Sequence, residues 1–378
     1  LKFSVVGCFG YSYDVIALTK IKFDTSVENA LHEVLASGRL VQGPWVERFE
    51  REIAAVCHRT HGIAVSNGTA ALQLALAALG VGAGDEVLCP DLSWPSPAHA
   101  IVLAGATPVL VDVDPYEWNA GPDAFKAAVT PRTKAAIVID QFGNPARFAE
   151  IEAALPGVRL IEDAACALGS RRGLRPMGSF GAISCLSFHP RKILTTGEGG
   201  MCLTHDDALA HRLRVLRNHG QRNPGEFQEA AGNHRLSELA AALGVTQVAG
   251  LESQIVRRRQ LRDAYREALP MLEWQREAPD ATTNVQTLGA LLPQTVHEST
   301  RKRFTTRARE LGVELGTLSY AIHTLASVSR GGAAAAPCPH SAQIVRRGMS
   351  IPLYPDMTEQ EQQNVISVIQ TVWDEVMQ

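Results

Sequence analysis

The sequence predicts an α/β protein with a mostly parallel central sheet and a smaller C-terminal α+β domain. Between about residues 60 and 205, short apolar runs alternate with helical patterns, the mark of a layer built from strand–helix units. Four runs, Glu86–Cys89, Pro108–Val111, Ala135–Ile139 and Arg159–Ile161, read as buried strands. A long apolar-periodic stretch, Leu236–Leu269, then separates this layer from a second helical region and reads as a bridge between two domains.

The elements follow in order. Residues 1–25 form an N-terminal segment of unknown role; Val5–Leu18 is mildly apolar but contains Asp14 and lacks a basic leader, so neither a signal peptide nor a membrane anchor is expected. Ser26–Ala36 and Trp45–Val56 have helical spacing with Gly43-Pro44 between them, and are expected to pack across a subunit or domain boundary. Gly68–Leu79, Ser96–Leu103, Pro122–Ala128 and Arg147–Leu155 are the helices between strands. Leu236–Leu269 is expected to break near Gly250 and stop at Pro270, with Arg257-Arg258-Arg259 on a solvated face. Glu298–Leu311 and Thr358–Val376 read as helices, separated by Gly331-Gly332 and an alanine run that marks a flexible connection. The expected domains are 26–250, binding a cofactor, and 251–378.

Composition narrows the function classes. With 46% hydrophobic and 20% charged residues among 378, the chain has ample material for a core. A formal net charge of -3 leaves no basic excess for nucleic acid or an anionic membrane, and no basic stripe interleaved with aromatics is present. Seven cysteines without C-x-x-C spacing fit reduced thiols, so a cytoplasmic location is expected. The 12 histidines show neither H-E-x-x-H nor a Cys/His cluster; no metal is expected, and Cys338-Pro-His340 reads as a turn.

The chemistry concentrates in Ser184–Met201. Lys192 stands there among Ser187, Thr195 and Thr196, with Gly197, Gly199 and Gly200 allowing close backbone approach. A partly desolvated lysine beside Arg191 is a candidate Schiff-base amine, and the frame suits a phosphorylated aldehyde cofactor; the alternative is a solvated loop charge. Val65-Ser-Asn-Gly-Thr-Ala-Ala-Leu72 puts Gly68 and Thr69 at a helix start, where free N–H groups favour phosphate, or where an ordinary N-cap stands. At Ile161-Glu-Asp-Ala-Ala-Cys-Ala-Leu-Gly169 an apolar strand ends in Asp163, which either caps a helix or pairs with a pyridinium nitrogen; Glu162 is assigned a local structural role. Trp94, in the rigid loop Asp91–Pro97, offers a flat face for a cofactor ring or simply packs. Asn233 and Arg235 are polar groups for anion binding or helix-start devices.

The ordered set of phosphate loop, aromatic, strand-end Asp and Ser-x-x-x-x-Lys resembles the DegT/StrS-type nucleotide-sugar aminotransferases, a PLP-dependent family of fold type I. The likeness runs from Ser26 to the C-terminus: Gly-Pro-x-Val-x-x-Phe-Glu at 43–50, Ser-Asn-Gly-Thr-Ala-Ala-Leu at 66–72, Glu-Asp-Ala-Ala at 162–165, Ser-Phe-His-Pro-Arg-Lys at 187–192 and Asn-His-Arg-Leu at 233–236. The resemblance implies that Lys192 carries pyridoxal 5'-phosphate as a Schiff base, Asp163 pairs with the pyridine nitrogen and Trp94 stacks on the ring. It implies that Gly68, Thr69 and Ser187 bind the phosphate, with Asn233 reaching across from the partner in a homodimer with shared active sites. Gly312–His323 looks like the segment that brings Tyr320 and His323 to the substrate, without the family's common proline before the His. Cys166 stands where the family usually has Gln or His, and cannot replace a side-chain amide at the pyridine 3-hydroxyl.

The expected activity is transamination from glutamate or glutamine to a nucleotide-linked keto-deoxysugar, with Arg39, Arg191 and Arg235 as candidates for its diphosphate. A transaminase for a free cyclitol or keto sugar and a non-catalytic PLP or sugar sensor are the alternatives; an intact Lys192–Asp163 pair argues against the second. A sugar dehydratase of the same family would carry histidine in place of Lys192. A desulfurase would need Cys166 or Cys185 as nucleophile, and both fall in segments expected to be buried.

Overall fold

The computed structural model describes residues 15–329, 334–335 and 337–377. Most of the N-terminal segment and of the Gly331-Gly332 alanine stretch lies outside the described residues. The first strands are β1 (His61–Val65), β2 (Glu86–Pro90), β3 (Thr107–Val111), β4 (Thr133–Ile139), β5 (Arg159–Asp163), β6 (Ile183–Ser187) and β7 (Gly200–Thr204). They form one sheet in the order β1-β7-β6-β5-β4-β2-β3, with Ala334–Ala335 beside β3. All neighbours are parallel except β7, which runs antiparallel to β1 and β6.

Both sheet faces are buried, as a parallel sheet requires. Alternation splits each strand between the faces: Val87, Cys89, Ile137 and Ile139 join one core, and Leu88, Ala136 and Val138 join the other. The first core is closed by the helices Gly68–Ala78, Ser96–Leu103 and Asp207–Arg217; the second by Pro44–Val56, Phe148–Ala154 and Glu238–Val248. The helices Thr25–Ser37 and Pro44–Val56 both lie against Glu238–Val248. Glu238, fully buried, accepts the N–H groups of Gly43 (2.8 Å), Trp45 (3.0 Å) and Val46 (2.9 Å), so a carboxylate from a distant helix caps Pro44–Val56.

The long helical stretch breaks at Ala249-Gly250 into Glu238–Val248 and Leu251–Ala268, bent by 65°. Leu251 and Ile255 of the second helix pack in the sheet core, whereas Leu261 and Tyr265 enter a separate core. That further core lies between a four-stranded antiparallel sheet, ordered Glu273–Trp274, Leu288–Leu291, Gly348–Ile351, Gly316–Thr317, and the helices Glu298–Glu310 and Glu359–Met377. The N-terminal segment reaches it too: Ile16 pairs with Val313, and Leu18 accepts the Leu353 N–H at 3.2 Å.

Two expectations are corrected. The Arg257–Arg259 run is not a solvated face, because Arg258 is buried and its Nη1 donates to the carbonyls of Val285 (3.3 Å), Gln286 (3.5 Å) and Leu353 (3.3 Å). Desolvation lowers its guanidinium to about 10. Cys338-Pro-His340 is not a turn but the start of the helix Pro339–Arg347, with Pro at its first position as helix starts favour. Among the described residues, no single helix is long and apolar enough to cross a membrane.

Candidate active site

The parallel strands bring their carboxyl ends to one edge, where open α/β sheets bind ligands. An aspartate stands at or just past the end of four of them: Asp91, Asp112, Asp140 and Asp163. Asp163 is 6% exposed, and its Oδ1 accepts the Ala165 N–H at 3.1 Å. Burial raises its carboxyl above the usual range, while that N–H and the Lys192 charge act to lower it. Behind it, Glu162 takes the N–H groups of Gly178 (2.7 Å) and Phe180 (2.8 Å) and the Ser184 hydroxyl (2.6 Å), which ties the sheet to its neighbouring loop.

Lys192 is half-buried in the loop after β6, and its Nζ donates to Cys166 Sγ at 3.1 Å. Cys166 is therefore not buried away from the site: its side chain touches the candidate amine. Cys185 is buried within β6. The Thr195 and Thr196 hydroxyls do not face a ligand, since they donate to the carbonyls of Phe188 (2.9 Å) and Glu198 (2.8 Å) and hold the glycine-rich loop to itself.

Gly68 opens the helix Gly68–Ala78 against Ser187. A Cβ on Gly68 would stand 2.8 Å from Ser187 Cβ, so only glycine lets the helix start approach the strand this closely. Asn67 caps the helix through the Ala70 N–H at 2.8 Å, and the Thr69 hydroxyl pairs with Ser96 Oγ at 2.8 Å. Ser96 begins the helix Ser96–Leu103, so two positive helix ends meet at these hydroxyls. Asn233 and Arg235 flank the same loop: Ser66 N–H donates to the His234 carbonyl at 2.8 Å, and Val65 bridges to Arg235. Asn233 is exposed; Arg235 Nη1 donates to Asn218 Oδ1 at 2.7 Å. Arg39 and Arg191 are exposed.

The third wall comes from the smaller domain. Tyr320–Ala321 pairs antiparallel with Leu92–Ser93, placing Tyr320 opposite Ser93. Trp94 is 61% exposed and meets the Tyr320 ring edge-on, with centroids 5.5 Å apart. His323 donates its backbone N–H to Asp91 Oδ1 at 2.7 Å, and its Nδ1 lies 2.7 Å from Asp91 Oδ2. Sequence reasoning missed Asp91, although the signal that singled out Asp163, an acid closing a buried strand, is present in Cys89-Pro90-Asp91.

These residues fit a phosphorylated pyridine aldehyde. The glycine cradle and hydroxyls suit the phosphate, the desolvated Asp163 suits a protonated ring nitrogen, and Trp94 leaves a ring face open. Asp91, His323 and Cys338 also bring potential metal ligands within 4.8 Å of one another. Burial, with Asp91 and Asp112 nearby, pushes the Cys338 thiol up to about 12.

The chain matches the model of a family described as DegT/DnrJ/EryC1/StrS aminotransferases over residues 22–370. It is similar to S. venezuelae DesV, solved in complex with ketimine intermediate: 30% identity, TM-score 0.88, 94% of this chain and 98% of that one covered. DesI, solved in the presence of its TDP-sugar product, is 30% identical with a TM-score of 0.87, covering 96% and 93%. A further aminotransferase, from Brucella abortus, is 29% identical with a TM-score of 0.87, covering 92% and 95%.

Proposed function

Because the chain belongs to the DegT/DnrJ/EryC1/StrS aminotransferase family, we propose that it moves an amino group from glutamate or glutamine to the keto group of a nucleotide-linked deoxysugar. The family is PLP-dependent and its activity is amino transfer to sugars. The observation that carries the reading is the half-buried Lys192 amine close enough to the buried Asp163 carboxyl, at one sheet edge, for its charge to act on it. PLP, when bound, supplies an aldehyde that captures amines and a ring that accepts electrons as a C–H bond breaks.

Gly68, Thr69 and Ser187 would hold the phosphate, and Trp94 would offer its face to the ring. Asp163 would keep a proton on the ring nitrogen through a charge-assisted hydrogen bond. Lys192 Nζ would hold the cofactor through its aldehyde and, when freed by the donor amine, would act as the base that accepts the proton from the donor's α-carbon and delivers it to the cofactor's former aldehyde carbon, on the far side of the bridging nitrogen. Cys166 lies at hydrogen-bond distance from Nζ and steadies the released amine between those positions. Tyr320 and His323 line the acceptor side. A TDP-sugar product in DesI supports a nucleotide-linked acceptor. The exposed Asn233 supports a homodimer in which it reaches the partner's cofactor, and the free thiols support a cytoplasmic location.

Absorption spectra test this. Purified protein with PLP is expected to show a band near the visible edge that L-glutamate converts to the pyridoxamine form, and Lys192→Ala to lack the lysine-dependent band. A wild-type spectrum identical to that of the variant refutes the assignment of Lys192. Amination of a TDP-linked keto sugar, but not of the free sugar, is the expected second result.

A further inference from the structure

Asp91 belongs to no part of the machinery described so far, yet it is the least solvent-accessible charged group at the acceptor wall. Its side chain is 0% exposed and lies against a His323 side chain that is 31% exposed. Both carboxylate oxygens contact His323: Oδ1 takes its backbone N–H and Oδ2 faces Nδ1, each at 2.7 Å, and the Ser341 side chain is a further hydrogen-bond partner of this carboxyl. The Asp91 backbone carbonyl accepts the Ile322 N–H at 2.8 Å, so main chain and side chain grip the same two residues. Such a bidentate hold fixes both the position and the rotation of the imidazole.

It also fixes the tautomer. A carboxylate opposite Nδ1 requires hydrogen there, which leaves the neutral ring with its lone pair on Nε2. Nε2 makes no hydrogen bond to a described residue. Trp94 and Tyr320, whose rings meet on the strand pair that leads into His323, are 61% and 36% exposed. An open aromatic face next to a single oriented acceptor is the chemistry that recognises a hexose ring, whose C–H face stacks while its hydroxyls donate.

We propose that Asp91 is a positioning residue that holds His323 with Nδ1–H inward and Nε2 outward, so that Nε2 accepts a hydrogen bond from a ring hydroxyl of the acceptor sugar. This rests on the acceptor being a sugar, as proposed above. Cys338 lies beside the pair, its Sγ within 4.8 Å of the Asp91 and His323 polar atoms.

Asp91→Asn tests the idea with little change of shape. The amide oxygen keeps the His323 backbone N–H, while the amide nitrogen donates to Nδ1 and turns the ring to the Nε2–H form. Nitrogen-15 spectra of histidine-labelled protein at pH 8, assigned with His323→Gln, are expected to show Nδ1–H for His323 in the parent and Nε2–H in Asp91→Asn. An unchanged tautomer overturns the positioning role whether or not a sugar is ever turned over.

The second readout is kinetic. With a TDP-linked 4-keto-6-deoxyhexose as probe, Asp91→Asn is expected to raise the acceptor KM fivefold or more. It should leave glutamate-driven conversion of bound PLP within twofold, which also reports that the variant folds. His323→Gln is expected to reproduce that KM, and to add less than twofold in the Asp91→Asn background. Parent-like KM with a switched tautomer, or two additive losses, overturns the sugar contact. If the parent enzyme aminates none of the TDP-linked probes, the acceptor class fails and the tautomer measurement still decides the role of Asp91.

Discussion

Replacing Asp163 by Asn is expected to move activity and apo-protein stability in opposite directions. The isosteric amide keeps an oxygen for the Ala165 N–H, now bonded at 3.1 Å, so the strand end has no reason to reorganise. What disappears is one buried negative charge. A charge-assisted hydrogen bond to the ring nitrogen is worth about 1.5–3 kcal/mol, and at 1.36 kcal/mol per decade its loss slows the glutamate half-reaction by about tenfold to 150-fold. The apo-protein gains instead. Burial raises the Asp163 carboxyl, so the folded state holds its proton more tightly than the unfolded chain, and the cost of ionising it is fully present above the folded pKa. Lys192 offsets part of that cost. The variant is therefore expected to be more stable than the parent in urea at pH 8, by on the order of 1 kcal/mol, with the difference shrinking as pH falls below the raised pKa. Stopped-flow spectroscopy and urea melts of apo-protein at pH 8 and pH 4.5 measure both quantities. An unchanged half-reaction, or an apo-protein destabilised at pH 8, refutes the reasoning that Asp163 is kept charged and desolvated for the cofactor.

Other perturbations separate holding the cofactor from holding the fold. Gly68→Ala puts a Cβ 2.8 Å from Ser187 Cβ and is expected to weaken PLP binding at least tenfold, measured by fluorescence titration, with a far-ultraviolet spectrum like the parent's. Arg258→Ala leaves three carbonyls without their donor and opens a void; a loss of about 3–5 kcal/mol in urea is expected. A loss below 1 kcal/mol would mean that water replaces the guanidinium.

Legibility followed the range of the interactions. Gly68, Thr69 and Ser96 were readable because helix starts are written in consecutive residues: Asn67 caps its own helix, and Pro95 precedes the next. The strand alternation and the break at Gly250 are local as well. Arg258 was not readable, since its partners at Val285, Gln286 and Leu353 lie 27 to 95 residues away, and a triplet of arginines looks solvated from its neighbours alone. The same holds for Asp91 and His323, 232 residues apart, and for Lys192 and Cys166, 26 apart. Thr195 and Thr196 misled in the opposite way, because their composition suggests ligand contact while their geometry spends both hydroxyls on the loop.

The helix Leu251–Ala268 carries a consequence for how the molecule comes apart. Its first turns are anchored through Leu251 and Ile255 in the sheet core, and its later turns through Leu261 and Tyr265 in the other. Neither core can melt alone without stripping packing from a rod that the other still grips. The helix thus works as a shared axle between the two cores, and spectroscopic probes placed in each are expected to follow one urea transition.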